Sequence, residues 1–282
     1  MDTVTMNRRS LLRTVGYSAL ALSPLPGLSF AAGERRVERI GVQLYTVRDL
    51  LTADPAGTLD AVAGMGYVEV ETAGYAGLTP HEFATSLKNA GLDAPSAHVP
   101  LTDIESAPER LLEAAAVVGH RYLVVPWLDP ALRGGIDGYA RVAEVLNGFG
   151  EACAGQGVQL GYHNHDFEFA PIGGVVPYDL LLERCDADLV KFEMDLFWAA
   201  KAGADTPAYF RAWPGRFPMC HVKDMTAAGE MVAVGDGRID FAALFDAGAT
   251  GGLEHYFVEH DNPEDPLASI RRSFESVEGI RF

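Results

Sequence analysis

Four residues at the ends of four successive apolar segments could do chemistry together: His163, Asp195, His221 and Glu259. Each closes a short run in which polar and apolar residues alternate. In 158–163, Val158, Leu160 and Tyr162 form one set, leaving Gln159, Gly161, His163 and then His165 on the other face. In 189–195, Val190, Phe192 and Met194 oppose Lys191, Glu193 and Asp195. In 218–223, Cys220 and Val222 oppose His221 and Lys223, and in 256–259, Tyr256 and Val258 oppose Glu259 and the following Asp261. The same alternation places Gln43 and Tyr45, Glu69 and Glu71, and Ser96 and His98 on the polar face. Buried charges need a partner or a metal. One divalent cation would satisfy His163, Asp195, His221 and Glu259 at once, and two imidazoles with two carboxylates suit Mn²⁺, Co²⁺, Fe²⁺ or Zn²⁺ better than Ca²⁺. A purely structural ion-pair network is the alternative.

The elements that must position these residues recur along the chain. Eight strands are expected at 40–46, 67–72, 93–99, 122–127, 158–163, 189–195, 218–223 and 256–259, with helices between them such as 58–65, 108–118 and 136–155. Gly64-Met65-Gly66, Ala90-Gly91 and Gly155-Gln156-Gly157 stand where helix C-caps belong. Strand–helix repeats imply parallel βαβ units, and eight of them fit a single α/β domain, a (β/α)8 TIM barrel over residues 36–282. Such a barrel carries its chemistry at the C-terminal ends of the strands. A doubly wound open sheet is the alternative, but no GxGxxG follows the first strand. The longest Gly-bearing stretch, Met225–Asp240, reads as a plain loop with Asp240 as helix N-cap, or else as a lid over substrate.

With these segments in place, a resemblance is visible. The stretches GVQLYTVR (41–48), GYHNHDFEF (161–169), EMDLFW (193–198), HVKD (221–224), VGDGRIDF (234–241) and VEHD (258–261) resemble, in this order, the sugar phosphate isomerase/epimerase family of xylose isomerase-like barrels. The resemblance spans 36–282. It implies one divalent metal held by His163, Asp195, His221 and Glu259. The family's epimerases carry a Glu where His163 stands, and that Glu doubles as an acid/base. Proton transfer on both faces of a carbon needs two bases, so His165 is the candidate second base beside Glu259, which serves as both ligand and acid/base. A substrate-binding His often follows the metal Asp by three residues, and here Trp198 stands there, with a face suited to stacking on a sugar. Glu193 and Lys223 are expected to hold substrate oxygens or to pair with each other. Glu71 and His98 are expected to bind sugar hydroxyls. The implied activity is isomerisation or epimerisation of an unphosphorylated sugar or keto-sugar through an enediolate. Elimination from a keto-sugar or 3-keto-glycoside (a lyase or dehydratase) is the alternative outcome, and a non-enzymatic sugar-binding protein is the alternative of another class.

Composition narrows partners and compartment. The 282 residues carry 22 Lys+Arg against 39 Asp+Glu, a net charge of −17. Such a chain repels phosphate backbones and anionic lipid, so neither nucleic acid nor a membrane surface is an expected partner, and a type-IV endonuclease is disfavoured. The expected partner is a small sugar; self-association stays open. Residues 1–31 join Arg8-Arg9-Ser10 to a short apolar run and small residues, the pattern of a twin-arginine signal peptide. Its loss would remove three arginines and one aspartate and make the exported, periplasmic protein still more acidic. A retained anchor is the alternative. Three cysteines, Cys153, Cys185 and Cys220, show no metal or CxxC spacing and are expected to be small buried hydrophobes.

Overall fold

The computed structural model describes residues 35–282; the expected signal peptide lies outside the described residues. Eight parallel strands close a barrel: β1 (Ile40–Gln43), β2 (Glu69–Thr72), β3 (Asp93–His98), β4 (Tyr122–Val125), β5 (Gln159–His163), β6 (Val190–Asp195), β7 (Met219–Val222) and, after a small hairpin of β8 (Asp224–Met225) and β9 (Met231–Val232), β10 (His255–Val258). β10 pairs with both β1 and β7, which completes the ring. The fold is therefore a single (β/α)8 barrel rather than an open sheet.

Local sequence explains the helices that wrap it. Thr79 and Glu82 form a reciprocal capping box at the start of Pro80–Ala90, and Gly91 ends that helix in the left-handed region. Asp240 accepts from the amide of Ala243 and caps Phe241–Gly251, as expected from the sequence. The outward strand set, including Leu160, Tyr162, Phe192, Met194 and Val222, is fully buried against the helices. The three cysteines are buried and free. Among the described residues no helix is long and apolar enough to cross a membrane.

Inside, the barrel fills in three layers. At the N-terminal end Glu69 and His255 pair with each other. In the middle, Val124, Met219 and Phe257 form a small apolar cluster of their own. Phe257 has room because Gly41 faces it; a Cβ there would come within 2.5 Å of the ring. Above this plug, Glu71, His98, His163, Glu193, His221 and Glu259 occupy the C-terminal end.

Two expectations are corrected. β1 stops at Gln43 instead of running to residue 46, because the Gln43 carboxamide accepts from the amide of Tyr45 and starts a 3₁₀ turn over Leu44–Val47. Tyr45 therefore leaves the barrel interior; it is exposed, with the Arg48 guanidinium 4.1 Å from its ring centre. The stretch after β7 is a hairpin folded around one carboxylate rather than a plain loop. Asp224 accepts from the amides of Met225, Gly235, Gly237 and Ile239.

Candidate functional site

The ends of β5 and β6 are locked together by Asn164. Its carboxamide accepts from the amide of Asp195 at 3.0 Å and donates to the Asp195 carbonyl at 3.3 Å. This fixes His163 and Asp195 side by side, with His163 Nε2 3.5 Å from Asp195 Oδ2. One oxygen of Asp195 caps the helix Leu196–Ala202 through the amide of Trp198. The other, Oδ2, faces the site. From β7, His221 Nδ1 lies 2.8 Å from Glu259 Oε2 and 3.9 Å from Asp195 Oδ2. The four expected ligands thus meet at one end of the barrel.

They meet as two overlapping groups. Ligand atoms of Asp195, His221 and Glu259 lie within 4.8 Å of one another, and so do those of His98, His163, Glu193 and His221. His163 therefore falls with His98 and Glu193, two residues the sequence reading had assigned to substrate. Glu193 Oε2 is 2.9 Å from His98 Nε2 and 3.0 Å from His163 Nδ1. Glu71 sits deeper, fully buried under both rings. It lies 2.6 Å from His221 Nε2 and 3.0 Å from His98 Nε2, and it accepts from Gln43 and Ser96. Alternation had placed Gln43 and Ser96 inside, but nothing in the sequence marked them as supports for the histidines.

Lys223 is the resident cation. It is 2 % exposed, with Nζ 2.9 Å from Asp195 Oδ2, 2.5 Å from Glu259 Oε2 and 3.0 Å from Asp261 Oδ1. The expected Lys223–Glu193 pair is replaced by these three carboxylates. Burial raises the Glu259 carboxyl, but Lys223 and His221 outweigh it and hold the group ionised, well below the usual range. Burial and the Glu71 charge push Glu193 up to about 6. Burial lowers His98, yet Glu71 and Glu193 bring it up to about 9. Burial and the neighbouring His221 hold His163 well below its ordinary value, so it is a neutral ring able to donate a lone pair.

A divalent cation fits this donor set. Even with Lys223, His98 and His221 all charged, the carboxylates of Glu71, Glu193, Asp195, Glu259 and Asp261 outnumber them. Asp195 Oδ2 has Lys223 for a partner, but Glu193 Oε1 is a buried acceptor with no hydrogen-bond partner. Buried acceptors left in this state need an ion, a water or a ligand.

The residues matched by family comparison cover this arrangement except for Gln43. A family model described as xylose isomerase-like TIM barrel matches residues 59–278. The chain belongs to the xylose isomerase-like TIM barrel family. Two solved structures, both of a sugar phosphate isomerase/epimerase from Parabacteroides distasonis, are similar to this barrel. One is 24% identical over 88% of this chain and 94% of its own, with a TM-score of 0.75. The other is 26% identical over 84% and 96%, with a TM-score of 0.73. A structure of the IOLI protein, with a bound zinc atom, shares the fold at 14% identity over 84% of this chain and 96% of that one, TM-score 0.67. No curated protein matches the chain.

In this xylose isomerase-like barrel a cavity of about 870 Å³ opens above the polar layer. Its floor includes His98, His163, His165, Lys223, Glu259 and Asp261. Asp195, His221, Glu193 and Glu71 are fully buried beneath it. His165 is held by its own backbone, whose amide donates to Glu168. Burial and then the Lys223 charge push its ring down to about 3. It is neutral near pH 7 and a weak base, and its Nδ1 is buried without a partner. Trp198 does not wall the cavity. It packs against the far side of His165, with ring centres 5.2 Å apart. Trp127 instead stands at the mouth, half exposed and 4.8 Å from His165. The sequence reading missed Thr72, at the end of β2, whose buried hydroxyl lacks a partner and which helps wall the cavity. It also missed Glu168, which takes hydrogen bonds from Tyr162 and His165.

Proposed function

We propose that the protein is a metal-dependent isomerase or epimerase of an unphosphorylated sugar or keto-sugar, working through an enediolate. The observation that carries this reading is the unpartnered buried acceptor Glu193 Oε1, in a cluster whose carboxylates outnumber its cations, beneath a sugar-sized floor of polar groups. His163, Asp195, His221 and Glu259 would hold the ion, which is Mn²⁺, Co²⁺, Fe²⁺ or Zn²⁺. A divalent ion there supplies a Lewis acid that polarises a carbonyl and favours loss of the neighbouring C–H proton. Glu259, ionised and 2.5 Å from the Lys223 ammonium, accepts that proton. His165 hydrogen-bonds a hydroxyl through Nδ1, and its low basicity makes it a positioning partner first and a second base only when charge develops beside it. The unpaired hydroxyl of Thr72 takes a further sugar hydroxyl. The signal-like leader supports action after export, away from cytosolic sugar phosphates.

The test is deuterium exchange. Protein stripped by chelation and protein reloaded with each metal are incubated with aldoses and ketoses in D₂O. Exchange into the sugar is expected only with metal. Metal binding should also release protons, seen as a buffer-dependent heat, because ligating rings and acids must be deprotonated. Full activity after exhaustive chelation would overturn the reading.

A further inference from the structure

The cavity is chemically lopsided. Its unpartnered polar atoms, His165 Nδ1 and Thr72 Oγ1, belong to the floor end, as does the Asp261 carboxylate on Lys223. The remainder runs outward between the loop after β2 and the helices Leu101–Ser106 and Pro108–Val118. Its walls are Ala73, Tyr75, Val99, Pro100, Leu111 and Ala114. Tyr75 presents only its ring, because its hydroxyl is engaged by His120 Nε2 at 3.1 Å. The amide of Val99 is used by the Val124 carbonyl, and the carbonyl of Pro100 accepts from Asp103 and Ile104. At the outer rim Asp103 and Arg110 pair with each other at 3.3 Å. The loop that carries Tyr75 keeps its shape through left-handed backbone at Gly74, Ala76 and Gly77. Ala76 is the one non-glycine residue in that region among the described residues, a conformation that persists only when its surroundings require it.

A second hydroxylated ring placed in this arm would lose its water without finding partners. A free hexose would leave the arm empty, since a cavity of this volume is of the size that encloses a drug-sized ligand. We propose that the substrate is a keto-glycoside, a glycoside with one ring hydroxyl already oxidised to the carbonyl that enolisation requires, whose sugar sits on the polar floor and whose neutral apolar substituent, an aromatic ring or alkyl chain, fills the arm between Tyr75 and Ala114. This rests on the reading of the floor as a sugar site and deepens it by naming the substrate class. Leu111 and Ala114 then determine specificity, and neither touches the groups assigned to proton transfer.

The test uses matched glycosides. Methyl and phenyl glycosides of gluco, galacto and xylo configuration are titrated calorimetrically against the Mn²⁺-loaded protein. For the configuration that binds, the phenyl glycoside should bind at least about tenfold more tightly than the methyl one. Ala114→Phe, which fills the arm, should shrink that ratio to within about threefold and leave methyl glycoside affinity unchanged. Leu111→Gln, which keeps the volume but adds an amide, should do the same and covers the case in which Ala114→Phe fails to fold. Equal affinities in the unaltered protein, or a preference that neither variant reduces, would overturn the arm. Deuterium exchange into free sugars with no binding of any glycoside would overturn it while leaving the sugar reading intact. Absence of both would overturn both.

Discussion

Glu69 and Glu193 are both fully buried glutamates, in the two outer layers of one barrel, and they end up in opposite states. At the N-terminal end, Glu69 lies 2.7 Å from Arg39 Nε and 2.8 Å from His255 Nδ1, and Arg121 meets the other ring nitrogen of His255. Burial works against its charge, but His255 and Arg39 prevail and its pKa is lowered. Every oxygen has a partner. At the C-terminal end, Glu193 shares its one paired oxygen between His98 and His163, keeps the other bare, and is pushed up to about 6. The same residue types thus close one end of the barrel and leave the other short of a cation. A satisfied cluster stabilises; an incompletely satisfied one costs stability and persists where something binds.

The comparison breaks most sharply under paired substitutions. Asp195→Asn keeps the helix cap, since Asn is as good an N-cap as Asp, but removes the anionic oxygen that faces the site. Activity should fall about 10³-fold and metal content with it, the scale set by several kcal/mol of Lewis-acid stabilisation. His255→Ala, at the other end, should leave kcat/KM within about twofold while unfolding becomes easier by about 2 kcal/mol, from the lost hydrogen bonds and packing on Phe257. Kinetics, metal analysis and denaturant melts on the two variants decide it. An inactive His255→Ala that still binds metal would mean the two ends are not independent.

How much of this contrast was legible in the residues themselves follows from its physics. Period-two alternation placed His163, Glu193, Asp195, His221, Lys223 and Glu259 inside, and all of them lie there, because the outward set must be apolar to pack on helices. Alternation is blind to height along the barrel axis and to what a strand end does next. It could not say that Glu71 lies under His98 and His221 rather than at a sugar hydroxyl, since that depends on stagger between strands. It continued β1 to Tyr45, because a side-chain-to-backbone hydrogen bond from Gln43 leaves no periodic trace. It also could not tell that Lys223 meets Asp195, Glu259 and Asp261 rather than Glu193. That is a matter of reach across the barrel by a flexible side chain. The apolar arm was invisible for a similar reason, as its walls come from two separate strand–helix connections.

A smaller effect sharpens the comparison through pH. Glu168 is a second buried acid at the C-terminal end, with Tyr162 and the His165 amide as partners but no cation in contact, and burial pushes it up to about 7. The folded state therefore holds this proton more tightly than the unfolded chain, whose Glu titrates near 4.5. Stability from the neutral acid is complete below about pH 4.5 and is lost as pH rises through 7. Glu168→Gln should remove this loss. Its stability relative to the unaltered protein should rise by up to about 3 kcal/mol between pH 4.5 and 8, read from urea melts across that range. A flat difference would mean that the carboxylate is solvated in the native state.

The smallest effect belongs to the paired end. Arg39 is half exposed, bonded to Glu69 on one side and to the exposed Asp93 on the other. Solvent screens such a pair, so Arg39→Ala should cost under about 1 kcal/mol and shrink further in salt. Glu69 keeps its bond to His255 in that variant, so no buried charge is abandoned. A loss of several kcal/mol would instead show that His255 cannot hold Glu69 alone, and that the lower layer is as finely balanced as the upper one. Between these outcomes lies the reason the two ends differ. A carboxylate with two independent partners survives the loss of the more exposed one, whereas Glu193 has an oxygen with nothing to fall back on.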